Sequence, residues 1–356
     1  MASRLTTSNR AGWGFAIPGF GLIALFIILP FFFAFYLSLT DQRLVSPNPT
    51  RFVGFENYRE LLDMRVITLS PERDDAGEIV RGDDGVPEYP RVRTVTRNPE
   101  TPQYRGMQEW FSWQSGNNLK VVIARDVVFL RALLNTVLFV IFVAPIQAGL
   151  ALCLALLINQ RLRGINAFRA IYFMPVVISI VVVSLLWRFI YDGNDGLLNE
   201  ILSWLTFGAW EPIDWLGRTD TALPSIMAMS IWQAVGFHMV IWLAGLQTIS
   251  PTLYEAAEIE GASKLQTFRY VTWPGLRNTA VLILIVITMQ AFAVFAQIDV
   301  MTNGGPLDST QTLVFQTVER GYGKQDISGG STISVILFLI VLTISLIQSW
   351  LTRERP

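Results

Sequence analysis

Gln233 and Phe237 stand four residues apart in one apolar run, with Trp232 beside them, and Gln290 and Gln297 stand seven apart in another, close to Phe292. On a helix, spacings of four and seven return to the same face. Each run therefore turns its amides toward one side, with rings near them. A primary amide both donates and accepts hydrogen bonds, and an aromatic ring offers a flat apolar surface. Together they suit a neutral polyhydroxyl molecule that is held without being chemically altered. Polar groups deep in an apolar phase are costly unless they meet a cavity or another helix. Each glutamine fits a solute contact or a bond to a neighbouring helix, and the sequence leaves that choice open. His238 reads as a packed or helix-bonded residue, and Gln147 and Gln348 as contacts between helices.

The chain that must position these groups has 356 residues, 52% of them hydrophobic and 15% charged, with a mean hydropathy of +0.43. That balance is too apolar for a soluble domain of this size and indicates a multi-spanning, all-α membrane protein. A net charge of -1 gives no electrostatic case for nucleic acid. One cysteine, Cys153, and one histidine, His238, leave no intrachain disulfide, zinc cluster or histidine-based triad to assemble. A glycine-rich phosphate loop with its Lys and Ser or Thr is also missing. The chain is therefore not expected to be an enzyme, to hold a metal or cofactor, or to hydrolyse ATP itself.

Runs long enough to cross a bilayer, about 20 residues each, fall at 13–39, 131–158, 171–191, 222–246, 279–298 and 332–351, which predicts six transmembrane helices. The first is read as a retained span. Lys and Arg in short loops set the orientation. Arg4, Arg10, Arg161, Arg163, Arg169, Lys264, Arg269, Arg277, Arg353 and Arg355 gather on one side, which places both termini in the cytoplasm. Residues 1–40 thus form a tail and the first helix, 41–130 an extracytoplasmic loop, 131–351 a five-helix core, and 352–356 a cytoplasmic tail. Within the long loop, Arg65 to Val128 alternates Val and Thr with charges at Val92, Thr94, Val95 and Thr96, and Asp83-Asp84-Gly85 is a turn signal. A small β mini-domain and, given Pro87, Pro90, Pro99 and Pro102, a disordered excursion fit that composition equally. The second outer loop carries Trp204, Trp210 and Trp215, which read as interfacial anchors.

Between the fourth and fifth runs lies the polar stretch from Pro251 to Asn278. Leu253 to Ile259 is helix-forming, with Glu255, Ala256 and Ala257 in its first turns. Gly261 can end that helix and redirect the chain. Leu265, Phe268 and Val271 mark a second amphipathic turn, which Trp273-Pro274 is expected to close. The residues Glu255, Ala256, Ala257, Glu260, Gly261, Ala262, Gln266, Phe268 and Pro274 resemble the "EAA" loop of the membrane subunits of binding-protein-dependent ABC importers. Glu260 stands where Asp is more usual, and Trp273 where Leu is. After the fifth run, Thr302-Asn303-Gly304-Gly305-Pro306 is a tight outer turn and resembles the T-x-GGP signature of carbohydrate-importer permeases. Arg51 to Tyr58 and Phe129 to Thr136 resemble the segments flanking the first outer loop of that family. The insertion between them is a departure from it.

This resemblance implies a type I ABC importer permease fold with an extracytoplasmic insertion between helices 1 and 2, in a bacterial inner membrane. It implies, as partners, a second homologous permease subunit, a dimer of ATPase subunits that binds the ATP, and an extracytoplasmic solute-binding protein that delivers a sugar. Glu255, Ala256, Ala257, Glu260 and Gly261 would form the ATPase-coupling helix and its bend. The family's sugar contacts fall on the helices before and after that loop, which favours Gln233, Phe237 and Gln290, with Trp232 and Gln297 as further candidates. A permease of the same class for a non-sugar solute is the alternative. An ion-coupled secondary transporter would need midplane charges, which the apolar runs lack.

Overall fold

The computed structural model describes residue 13 and residues 15–82, 85–160 and 164–352. Arg4, Arg10, Arg161, Arg163, Arg353, Arg355 and the Asp83-Asp84 pair lie outside the described residues. The chain divides into two compact units: residues 1–127 with 317–336, and residues 128–316 with 337–356.

In the first unit, helix α1 (Phe15–Ser38) is apolar along its length. Asn57, on α2 (Glu56–Leu62), donates its side-chain amide to the carbonyls of Ser38 and Thr40 at 2.8 and 2.7 Å, closing the C-terminal end of α1. Next come β1 (Met64–Leu69), α3 (Val92–Thr96), β2 (Gln108–Ser115) and β3 (Asn118–Ala124). The strands form an antiparallel sheet in the order β1-β3-β2. The described part of residues 64–124 therefore has folded structure. Its strands are not where alternation predicted them, because Val92 to Thr96 is a helix. Val92 and Val95, three apart, share a helical face and pack on Ile67, Leu69, Met107, Val121 and Ile123. Arg320 joins Asp126 and Asp326 through ion pairs of 2.6 and 2.7 Å in this same unit.

The second unit is helical. It holds most of α4 (Val127–Ile158), with α5 (Ile165–Val177), α6 (Ile180–Ile190), α7 (Leu197–Leu205), α8 (Ala222–Gln247), α9 (Pro251–Ile259), α10 (Lys264–Gly275), α11 (Arg277–Phe292) and α12 (Ala296–Met301). A short α13 (Leu313–Val318) leads to α14 (Ile327–Thr352). Among the described residues, α1, α4, α8 and α14 are each long and apolar enough to cross a membrane, and two bent helix pairs pass the same test together. One pair is α5 with α6, bent by 97°, and the other α10 with α11, bent by 67°.

The bend between α5 and α6, and a break between α11 and α12, correct the expectation of unbroken runs. Pro175 inside α5 has no N–H to give its helix, and the chain turns extended at Ile178 and Ser179 before α6 begins. In the 279–298 run, helix α11 stops at Phe292 and α12 starts at Ala296. Thr312 donates its hydroxyl to the freed Val294 carbonyl at 3.0 Å, so the break has a hydrogen-bond partner. Small residues let helices approach. Ala144, Ala148, Ala151 and Ala155 form a buried stripe on α4. A side chain at Gly236 would collide with the Tyr172 carbonyl, so α8 and α5 meet there backbone to backbone.

Candidate functional site

The close approach at Gly236 brings Gln233 and Phe237 of α8 against the end of α5 and the start of α6. Together with Phe139, Val143 and Gln147 of α4, Gln290 of α11 and Gln297 of α12, they line a cavity of about 280 Å³. Gln290 and Gln297 do not share one helix face, because the chain breaks between them, yet both reach this cavity. Neither has a hydrogen-bond partner among the described residues. Gln233 makes a single long contact, 3.5 Å to the Pro175 carbonyl. Trp232 does not line the cavity. Its ring packs on Trp187 at 5.3 Å and is about half exposed.

Two further polar groups line the cavity: Ser230, which sequence reasoning did not single out, and Gln147, which it gave as a contact between helices. Ser230 lies one helical turn before Gln233, lines the cavity, and has a buried hydroxyl with no partner among the described residues. Its i, i+3 spacing to Gln233 was the available signal. Gln147 is fully buried and bonds His238 Nδ1 at 2.8 Å, tying α4 to α8 while also facing the cavity. Trp242 makes the same tie one turn on, donating its indole N–H to the Ala148 carbonyl at 3.0 Å. The lining holds no charged residue. Chemically it can bond hydroxyls, pack a ring face against Phe237, and leave a neutral solute unmodified.

The polar stretch is a tight elbow. Helix α9 ends in a Schellman motif: Ala262 N–H reaches the Ala257 carbonyl at 2.9 Å, Gly261 N–H reaches Glu258 at 3.0 Å, and Gly261 takes φ +73°. Only glycine adopts that angle without strain. Ser263 then opens α10 with a capping box, its hydroxyl on the Gln266 N–H and the Gln266 side chain on its own N–H. Glu255, Ala256, Glu260 and Gly261 are exposed and Ala257 is half-buried. Leu265 is also exposed, which departs from the expected inward stripe. Nor does Trp273-Pro274 close the helix. A π-turn over Phe268–Thr272 takes up one extra residue, so Trp273 N–H bonds Phe268 and the helix runs on to Gly275.

On the other side of α11, the Thr302 to Thr312 turn is clamped by side chains. Thr302 and Thr310 hydroxyls share a 2.8 Å hydrogen bond, and Asn135 of α4 donates to the carbonyls of Ser309 and Gln311 at 2.9 and 3.0 Å. Gly304 has φ +82°, and a side chain there would strike Gln311 and Phe315. Gly305 needs no such angle, so only one glycine of the pair is used for backbone freedom.

Residues 121–354 match the family model described as "Binding-protein-dependent transport system inner membrane component". The chain belongs to that family. Among relatives of this inner membrane component, the diacetylchitobiose uptake system permease protein NgcF of Streptomyces coelicolor is 30% identical over 351 residues, covering 95% of this chain and 82% of that protein. The trehalose/maltose transport system permease protein MalF of Thermococcus litoralis is 34% identical over 263 residues, covering 74% and 84%. The crystal structure of a bacterial ABC transporter involved in the import of the acidic polysaccharide alginate superposes with a TM-score of 0.67 over 98% of both chains, at 18% identity. The fold is therefore that of ABC transporter permeases.

Proposed function

We propose that this chain is the permease subunit of an ATP-driven importer and moves a sugar or related polyol delivered by an extracytoplasmic solute-binding protein. The observation that carries the solute class is the uncharged cavity in which the amides of Gln233, Gln290 and Gln297 stand beside Phe237 with the Ser230 hydroxyl, which has no partner among the described residues. A charged solute usually needs a counter-charge in such a site. The names of the two relatives, for diacetylchitobiose and for trehalose and maltose, support the same class. In this reading α5 with α6 makes one span and α11 another, giving six, and the sheet of the first unit is an extracytoplasmic insertion. Both termini and the elbow are cytoplasmic, in a bacterial inner membrane.

The partners are a second, homologous permease and a dimer of ATPase subunits. Helix α9 enters a groove on the ATPase with Glu255 meeting a basic group, Ala256 and Ala257 allowing close approach, and Glu260 and Gly261 at the turn. Leu253 and Ile259, the latter 86% exposed, support such docking by leaving apolar surface for a partner. ATPase closure then rocks the spans joined to the elbow and opens the cavity to alternate sides.

Co-expression with the neighbouring genes, purification and reconstitution test this. An ATPase is expected to co-purify, and the binding protein's melting temperature is expected to rise with a sugar from a panel and not with amino acids or inorganic anions. Glu255→Lys should leave the complex assembled and lower sugar uptake about tenfold or more, the effect of losing roughly 1.4 kcal/mol of docking. Unchanged uptake in that variant would rule out the coupling role.

A further inference from the structure

Helix α7, in the loop after α6, turns one side to the protein and leaves an apolar stripe on the other. Leu198 packs into the core of the second unit, and Asn199 fixes the helix in place. The Asn199 amide donates to the carbonyls of Asp192, Gly193 and Ile213, and its oxygen accepts from Ile213 N–H and from the indoles of Trp210 and Trp215. The other face is a stripe of Leu197, Ile201, Trp204 and Leu205, at spacings that keep them on one side. All four are exposed, Trp204 by 78%.

The end of the helix carries the sharper signal. It terminates in a second Schellman motif, with Gly208 N–H on the Ser203 carbonyl at 2.7 Å and Phe207 N–H on Trp204 at 3.2 Å. The left-handed position of that motif normally falls to glycine. Here Phe207 holds it, at φ +54°, although a glycine follows immediately. A bulky residue there is strained, and its side chain is 99% exposed. Strain and exposure are both unfavourable in water, and both are offset if the ring enters an apolar phase.

We infer that α7 and the Phe207 tip lie in the outer-leaflet interface of the bilayer, with the Leu197, Ile201, Trp204, Leu205 and Phe207 side chains at the boundary between headgroups and acyl chains. The inference rests on the six-span reading, in which α6 ends at Ile190 on the outer side, only a short turn before Leu197. That connection keeps the helix at membrane depth. Trp and Phe are side chains that settle in this zone, and interfacial helices bury such a stripe. Glu200, three residues from Leu197 and four from Trp204, is exposed at the edge of the stripe, where its carboxylate stays with water and headgroups while the apolar side chains lie deeper.

Site-directed spin labelling of the whole transporter, in vesicles of phosphatidylethanolamine and phosphatidylglycerol, tests it. Single cysteines would replace Trp204, Phe207 or Leu186 of α6 in a Cys153→Ala background, and collisions of the nitroxide with oxygen and with a nickel chelate would be compared. Labels at all three positions are expected to meet oxygen more often than nickel. A water-exposed label at 207 with a lipid-exposed one at 186 overturns this inference alone. A water-exposed label at 186 overturns the six-span reading and this inference with it. Exclusion of both reagents at 207, or their loss when the binding protein is added, means that protein covers the tip, and the inference fails. Should the cysteine variants not assemble, brominated-lipid quenching of the unlabelled chain against Trp204→Phe reads the same depth. Loss of a quenchable emission component in Trp204→Phe supports the inference, and an unchanged quenching profile overturns it.

Discussion

Asn199 and Gln290 are both amide side chains in the second unit, and they use their hydrogen-bonding capacity in opposite ways. Asn199 is buried and engaged on every side, with the Trp210 and Trp215 rings stacked 6.2 Å apart above its oxygen. Close by, the N–H groups of Asp195 and Asn194 hold the Asp192 carboxyl below its ordinary range. Gln290 faces a cavity and makes no side-chain hydrogen bond among the described residues. A polar side chain satisfied within its own chain fixes shape, and one left unsatisfied beside a void is available to a solute. Residue type alone does not separate these roles.

The comparison can be broken most severely at the satisfied end. Asn199→Leu would strand two indole N–H groups, the Ile213 N–H and three carbonyls. A loss of about 3–5 kcal/mol is expected, read as a large drop in the melting temperature of the purified complex. An unchanged melting temperature would mean that water replaces the latch. At the unsatisfied end, Gln290→Leu should lower sugar uptake about tenfold, as one or two solute bonds of ~1 kcal/mol disappear, and should leave the melting temperature nearly unmoved. Gln147→Leu lies between the extremes, because it cuts the link to His238 and alters the lining together. Destabilisation of about 1 kcal/mol with a severalfold fall in uptake is expected from paired thermal and transport measurements. The smallest effect belongs to Trp232→Leu, which loses ring contact with Trp187 worth about 1 kcal/mol or less and should transport normally. Impaired uptake there, in an intact complex, would move the site toward Trp232.

The glutamines of the cavity were legible because they stand in runs that are otherwise apolar. Gln233 and Phe237 keep the relation their spacing gave. Gln290 and Gln297 reach the same cavity by a route the spacing did not contain, since the break at Ala293 to Phe295 depends on Thr312 being folded back onto Val294. Hydropathy located the apolar runs but averaged over Pro175 and the turn at Ser179. Gln147 and His238 each read as helix contacts, but the bond that pairs them joins residues 91 apart in sequence and local spacing does not reveal it. In the loop after α6, the three tryptophans divide into two packed around Asn199 and one exposed. The strands β1 and β3 pair across the whole insertion, so their register came from partners that periodicity cannot see.

At the elbow, both helix ends are closed around Gly261 and Ser263, one by main-chain bonds and the other by a reciprocal side-chain pair. Tyr254 also touches the Thr272 hydroxyl across the angle, at 3.2 Å. In the proposed coupling, a joint braced in this way works as a crank rather than a pivot. Torque applied to one arm is delivered to the other with little lost motion, and the stroke is set by the fixed angle between them.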